Sequence, residues 1–143
     1  MNFIFYVLLF SLFPFIVQSQ IKLEKITPKI SNLWGIAIIN KDEILVTQRS
    51  GNLYRLNVFN KNVTKIEGAP KVYNSGQGGL LDIVFEKEND VQRVYLCLSK
   101  VIASNKSSTA IHSYNLINNK LINEKVIFIS NKISSSGRHF GCR

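Results

Sequence analysis

From Trp34 onward the chain states one plan twice. Four short runs of β-forming residues, divided by turn residues, recur at an interval of about fifty residues, which marks a repeat architecture. The first group occupies residues 35–39, 43–48, 53–58 and 63–66, with turns at Asn40-Lys41-Asp42, Ser50-Gly51-Asn52 and around Asn60-Lys61-Asn62. The second occupies residues 80–85, 93–99, 110–116 and 120–129. Ile44-Leu45-Val46-Thr47 answers Val94-Tyr95-Leu96-Cys97, and Leu53-Tyr54-Arg55-Leu56-Asn57 answers Ile111-His112-Ser113-Tyr114-Asn115. No apolar spacing of helical period persists over a useful length.

Four antiparallel strands at this interval predict an all-β chain built from β-propeller blades, with about two four-stranded blades present. The competing arrangement is a two-sheet sandwich, which also presents eight strands. The first run of each group is the most uniformly apolar, which predicts an inner strand buried on both faces, while the outer runs alternate more clearly. After Ile129 a polar connection leads into Gly137-Arg138-His139-Phe140-Gly141-Cys142-Arg143. In both earlier groups a Gly-bearing segment of this kind precedes the inner strand. Two blades cannot close a ring, so residues 20–143 are expected to be the N-terminal part of a longer propeller, with a third blade just beginning.

Ahead of the repeat, residues 1–19 carry no charged side chain, and residues 3–17 are apolar except at Ser11 and Pro14. With Val17-Gln18-Ser19 following, this predicts a signal peptide cleaved after Ser19 and a periplasmic or secreted product. Fifteen such residues fall short of the roughly 20 that a membrane-spanning helix needs, so no stable membrane insertion is expected after cleavage. The balance of 18 Lys+Arg against 9 Asp+Glu raises the question of a nucleic-acid partner. The lysines, however, are spread singly along the chain beside turns, with no aromatic-basic stripe, which argues for a solvated surface. Cys97 and Cys142 are the two cysteines. One bridge between them is possible in an oxidising compartment, but Cys97 sits in an apolar strand pattern, and the favoured reading of it is a small buried hydrophobe.

Three motifs, in order on the repeat, carry a resemblance. The first is Leu33-Trp34-Gly35-Ile36-Ala37-Ile38 followed by Leu45-Val46-Thr47-Gln48-Arg49-Ser50-Gly51; the second is Gly76-Gln77-Gly78-Gly79-Leu80-Leu81; the third is Gly137-Arg138-His139-Phe140-Gly141-Cys142-Arg143. Together they resemble the soluble pyrroloquinoline-quinone (PQQ)-dependent aldose or glucose dehydrogenases, six-bladed β-propellers of the glucose/sorbosone dehydrogenase type. The chain departs from that pattern at Gln48, where the family usually has Glu, at Arg138, where it has Gly, and at Cys142, where it has Ser.

The resemblance implies an exported oxidoreductase that oxidises the C1 hydroxyl of aldose sugars to the lactone, passing hydride to PQQ and then electrons to an external acceptor. It implies His139 as the general base, a task that suits imidazole because its ordinary pKa near 6.5 leaves it neutral yet basic. Gly137 and Gly141 flank it without bulk. It also implies that Gln77 contacts sugar or quinone with its amide, whereas the plain structural alternative is a tight interblade turn with an exposed amide. His112, in a middle strand, is assigned no chemistry, and Asp82 is expected to bond local backbone. The family's remaining cofactor contacts, cationic side chains for the quinone and carbonyls for its calcium, come from later blades, so no metal ligand is assigned here and the chain alone is expected to be inactive. The rival function is a non-enzymatic propeller that binds a protein or carbohydrate partner at its mouth.

Overall fold

The computed structural model describes residues 20–27 and 30–142. The leader read over residues 1–19 lies outside the described residues.

Among the described residues, eight strands form two separate four-stranded antiparallel sheets, each a simple meander. The first contains β1 (Leu33–Ile38), β2 (Glu43–Gln48), β3 (Asn52–Asn57) and β4 (Val63–Ile66); the second contains β5 (Leu80–Glu88), β6 (Val91–Ala103), β7 (Lys106–Ile117) and β8 (Lys120–Ile129). Sequential order within each sheet is what propeller blades have and what the crossed connections of a sandwich lack. Local chemistry sets the turns. Asn118 and Asn119 both take positive φ, at 47° and 61°, the two-residue hairpin geometry that asparagine tolerates. Asn40 Oδ1 accepts from the backbone of Asp42 and Glu43 at 2.8 and 3.0 Å, closing the β1–β2 turn.

The two sheets share one apolar core. Ala37, Leu45, Leu53 and Ile66 of the first meet Leu80, Leu96, Leu98, Ala110 and Leu116 of the second, all buried. Polar groups then lock the stack. The irregularity in the β1–β2 ladder between Leu33 and Ile36 takes Gly35 out of regular pairing, and a similar one in β5 falls between Leu80 and Ile83. The fully buried hydroxyl of Thr47 accepts from Gly35 N–H at 2.8 Å and donates to Leu81 C=O at 2.5 Å, joining the sheets at both irregular points. At the outer edge the Glu67 backbone pairs with Asn119 and Leu121, each at 2.9 Å.

Three expectations are corrected. The strands of the second sheet run beyond their apolar patterns: β6 continues through Ala103 and β7 begins at Lys106, because backbone ladders form through polar residues such as Ser107 and Ser108 as readily as through apolar ones. β1 is buried on one face, not both. Gly35 and Ala37 face the second sheet, whereas Trp34, Ile36 and Ile38 are 50%, 60% and 71% exposed, since no second blade covers that side among the described residues. β8 does not alternate. Beyond Leu121 it is largely exposed, including Val126, Ile127, Phe128 and Ile129, because it too has a sheet on one side alone.

Candidate functional site

The glycine-rich segment before β5 is shaped by its neighbours. Gly78 N–H closes a turn on Ser75 C=O at 2.9 Å. Gly79 has φ +148°, and a Cβ there would stand 2.1 Å from the Arg49 carbonyl oxygen, so no other residue fits. Ser99, at the far end of the β6 core, clasps the segment: its hydroxyl accepts from Gly79 N–H at 2.7 Å and donates to Tyr73 C=O at 2.7 Å. Arg49 reaches across from the end of β2 to the carbonyls of Gly76 and Gly78, and its guanidinium lies 5.9 Å from the Trp34 ring. These contacts present Gln77 at the rim with its side chain exposed.

The histidine loop comes back to the same place. After β8 it pairs briefly with β7 through Ser134 and Ser107, at 2.8 and 3.0 Å. Gly137 C=O then accepts from Gln77 N–H at 2.8 Å, and His139 N–H donates to Gln77 Oε1 at 3.0 Å. Two predicted site residues 62 positions apart are therefore directly bonded. The imidazole of His139 is exposed on a backbone bent to the left-handed side at Gly137, His139 and Gly141, with φ of 67°, 61° and 65°. Behind it Phe140 is buried, and its carbonyl accepts from the Thr109 hydroxyl at 2.6 Å. Trp34, Gln77, Leu81, His139 and Phe140 line a shallow hollow of about 270 Å³. On its other side His139 borders a more polar depression with Thr109, Lys132 and Arg138.

The cysteine reading needs correction. Cys97 is not a free buried hydrophobe; it is bonded to Cys142 of the histidine loop, with Cα atoms 5.9 Å apart. An apolar strand pattern is blind to such a bond, because the partner sulfur is supplied by a loop 45 residues away.

His112 lies elsewhere, in β7, where it and Tyr114 are buried and share a partner in the exposed Glu124 of β8, a trio that sequence reasoning missed. Its Nδ1 is 2.6 Å from Glu124 Oε1, which also accepts from the Tyr114 hydroxyl at 2.6 Å. Irregular pairing around Tyr114, with Asn123 at φ 54°, turns Glu124 toward β7. The Tyr114 bond, with help from His112, holds the Glu124 carboxyl below the usual carboxylate range, while burial pushes the Tyr114 hydroxyl up. The spacing His112-x-Tyr114 on one face of a strand was the available signal. Among the described residues no three His, Cys, Asp or Glu side chains are grouped to hold a metal ion.

Two stacked four-stranded meanders, whose successive connecting loops meet at one rim, define a stretch of β-propeller carrying a candidate site on its loops. The model of the glucose/sorbosone dehydrogenase family matches residues 30–143, and the chain belongs to that family. It is 28% identical over 129 residues to the aldose sugar dehydrogenase YliI of Escherichia coli K12, a match covering 87% of this chain and 35% of that protein. An uncharacterised Synechocystis protein is 29% identical, over 88% of this chain and 32% of its own length. The crystal structure of the soluble E. coli aldose sugar dehydrogenase in its apo form superposes with a TM-score of 0.71 at 30% identity, covering 78% of this chain and 33% of that one. A PQQ-bound aldose sugar dehydrogenase from Streptomyces coelicolor shares the fold, with a TM-score of 0.66 at 22% identity, over 76% of this chain and 33% of that one. The chain thus spans about a third of the length of the curated relatives it matches.

Proposed function

We propose that this chain contributes the first part of a PQQ-dependent aldose dehydrogenase, exported by the leader read over residues 1–19, and that His139 and Gln77 act at its sugar-binding rim. The observation that carries the reading is the bond from His139 N–H to Gln77 Oε1. It turns two motifs remote in sequence into one local arrangement, beside a hollow with Trp34, Leu81 and Phe140 as its walls.

The residues present fit the substrate side of a quinone site. An exposed imidazole on a glycine-flanked loop can reach a hydroxyl above a planar group, and apolar walls suit a flat ring. Cations for the quinone's carboxylates are less evident, since Arg49 is occupied by the carbonyls of Gly76 and Gly78. When bound, the quinone with its calcium would supply the two-electron acceptor for the C1 hydride. His139 takes the proton of the anomeric hydroxyl. Gln77 has its amide oxygen engaged by the histidine loop, which leaves its amide N–H groups to donate to a sugar oxygen. It therefore serves two ends: it holds the base and it faces the substrate.

The test is aldose-dependent reduction of a dye by the full-length gene product loaded with quinone and calcium. His139→Ala is expected to lower kcat about 10²- to 10⁴-fold, the usual contribution of a positioned base. A variant as fast as its parent would remove the base from His139.

A further inference from the structure

The repeat places Cys97 where the first sheet has Thr47, and the two do the same job by different chemistry. Thr47 fastens the first sheet to the segment that follows it, through the 2.5 Å bond to Leu81 C=O. Cys97 fastens the second sheet to the segment that follows it, through the disulfide to Cys142. That covalent tie lands three residues beyond His139. Between the two lies a backbone that has left regular pairing, with left-handed φ at both His139 and Gly141. A non-glycine residue in that region is strained and persists where its surroundings over-determine it. On the N-terminal side of His139 the restraints are the two bonds with Gln77. On the C-terminal side they are the burial of Phe140, its bond from Thr109, and Cys142 packed with Leu81, Tyr73 and Cys97 in a small second core.

We propose that the Cys97–Cys142 disulfide is a positioning device for His139, holding its loop in the left-handed conformation that sets the imidazole beside Gln77. Its consequence for turnover rests on His139 being the base; its consequence for the loop does not. Opening the latch takes a dithiol reductant. One thiolate attacks a cysteine sulfur, the S–S bond breaks, and the reagent's second thiol closes it into its own cyclic disulfide. The reagent's two electrons and two protons end on the Cys97 and Cys142 thiols.

Peptide-resolved hydrogen exchange on the full-length protein, oxidised, dithiol-reduced and as Cys142→Ser, tests this directly. Exchange over residues 137–142 is expected to quicken about tenfold or more in both opened forms, with β2 and β6 unchanged as the control for folding. Equal exchange in all three forms, with the thiols shown to be free, overturns the proposal. In the quinone-loaded protein, opening the latch is expected to lower kcat at unchanged KM, as loss of a positioned base does. An unchanged kcat in the opened forms of a protein that does depend on His139 also overturns it. Quickened exchange alongside a fully active His139→Ala variant keeps the latch and removes the base.

Discussion

Thr47 shows how much one side chain can carry. It is fully buried, and its hydroxyl is the partner for a backbone N–H in one sheet and a backbone C=O in the other. Thr47→Val keeps the shape and orphans both groups inside the interface. Each orphan costs about 1 to 3 kcal/mol, so the variant's denaturation midpoint is expected to fall by the equivalent of a few kcal/mol. A midpoint equal to the parent's would mean that the two sheets do not depend on this bridge. Gln77 and His139 were legible at this scale as residue types within motifs. That the amide of one holds the backbone of the other was not, because hydrogen-bond partners 62 residues apart leave no periodic trace.

At the scale of the element, the second sheet carries a hydrogen-bonded trio in which buried His112 and Tyr114 of β7 meet the exposed Glu124 of β8. Glu124 is held below its ordinary value of 4.5, chiefly by the Tyr114 hydroxyl. A carboxyl with a depressed folded-state value stabilises the fold fully above its unfolded value. That contribution is lost as the pH falls below 4.5 toward the lowered one. The parent is therefore expected to lose stability across this acid range more steeply than Glu124→Gln, whose deficit near neutral pH narrows on acidification. Denaturant midpoints at neutral and acid pH decide it; a constant gap between the two proteins rules out the linkage. The strands themselves were legible from short runs of β-forming residues and the turns between them: β2, β4 and β8 have the bounds of the predicted runs 43–48, 63–66 and 120–129. The ends of β6 and β7 were not, since polar residues there pair through backbone that carries no hydropathy signal.

For the whole molecule, one core spans both sheets, so the sheets are expected to unfold together. Leu45→Ala in the first sheet and Leu96→Ala in the second should each cost about 2 to 5 kcal/mol and shift a single transition. Two separate transitions, or exchange protection lost in the mutated sheet alone, would show two independent units. The apolar residues left open on the outer faces, among them Trp34, Ile36, Ile38, Phe128 and Ile129, mark where each sheet has, among the described residues, a neighbour on one side and none on the other. By itself the sequence determined the two-fold blade plan, the strand order and the motifs that make up the candidate site, because alternation, turn chemistry and short motifs are local and repeat in register. Tertiary structure alone decided which face of β1 is buried, that Cys97 is bonded to Cys142, and that Gln77 grips the backbone of His139. Those facts depend on which segments meet after the sheets stack, and contact across dozens of residues is written in no local pattern.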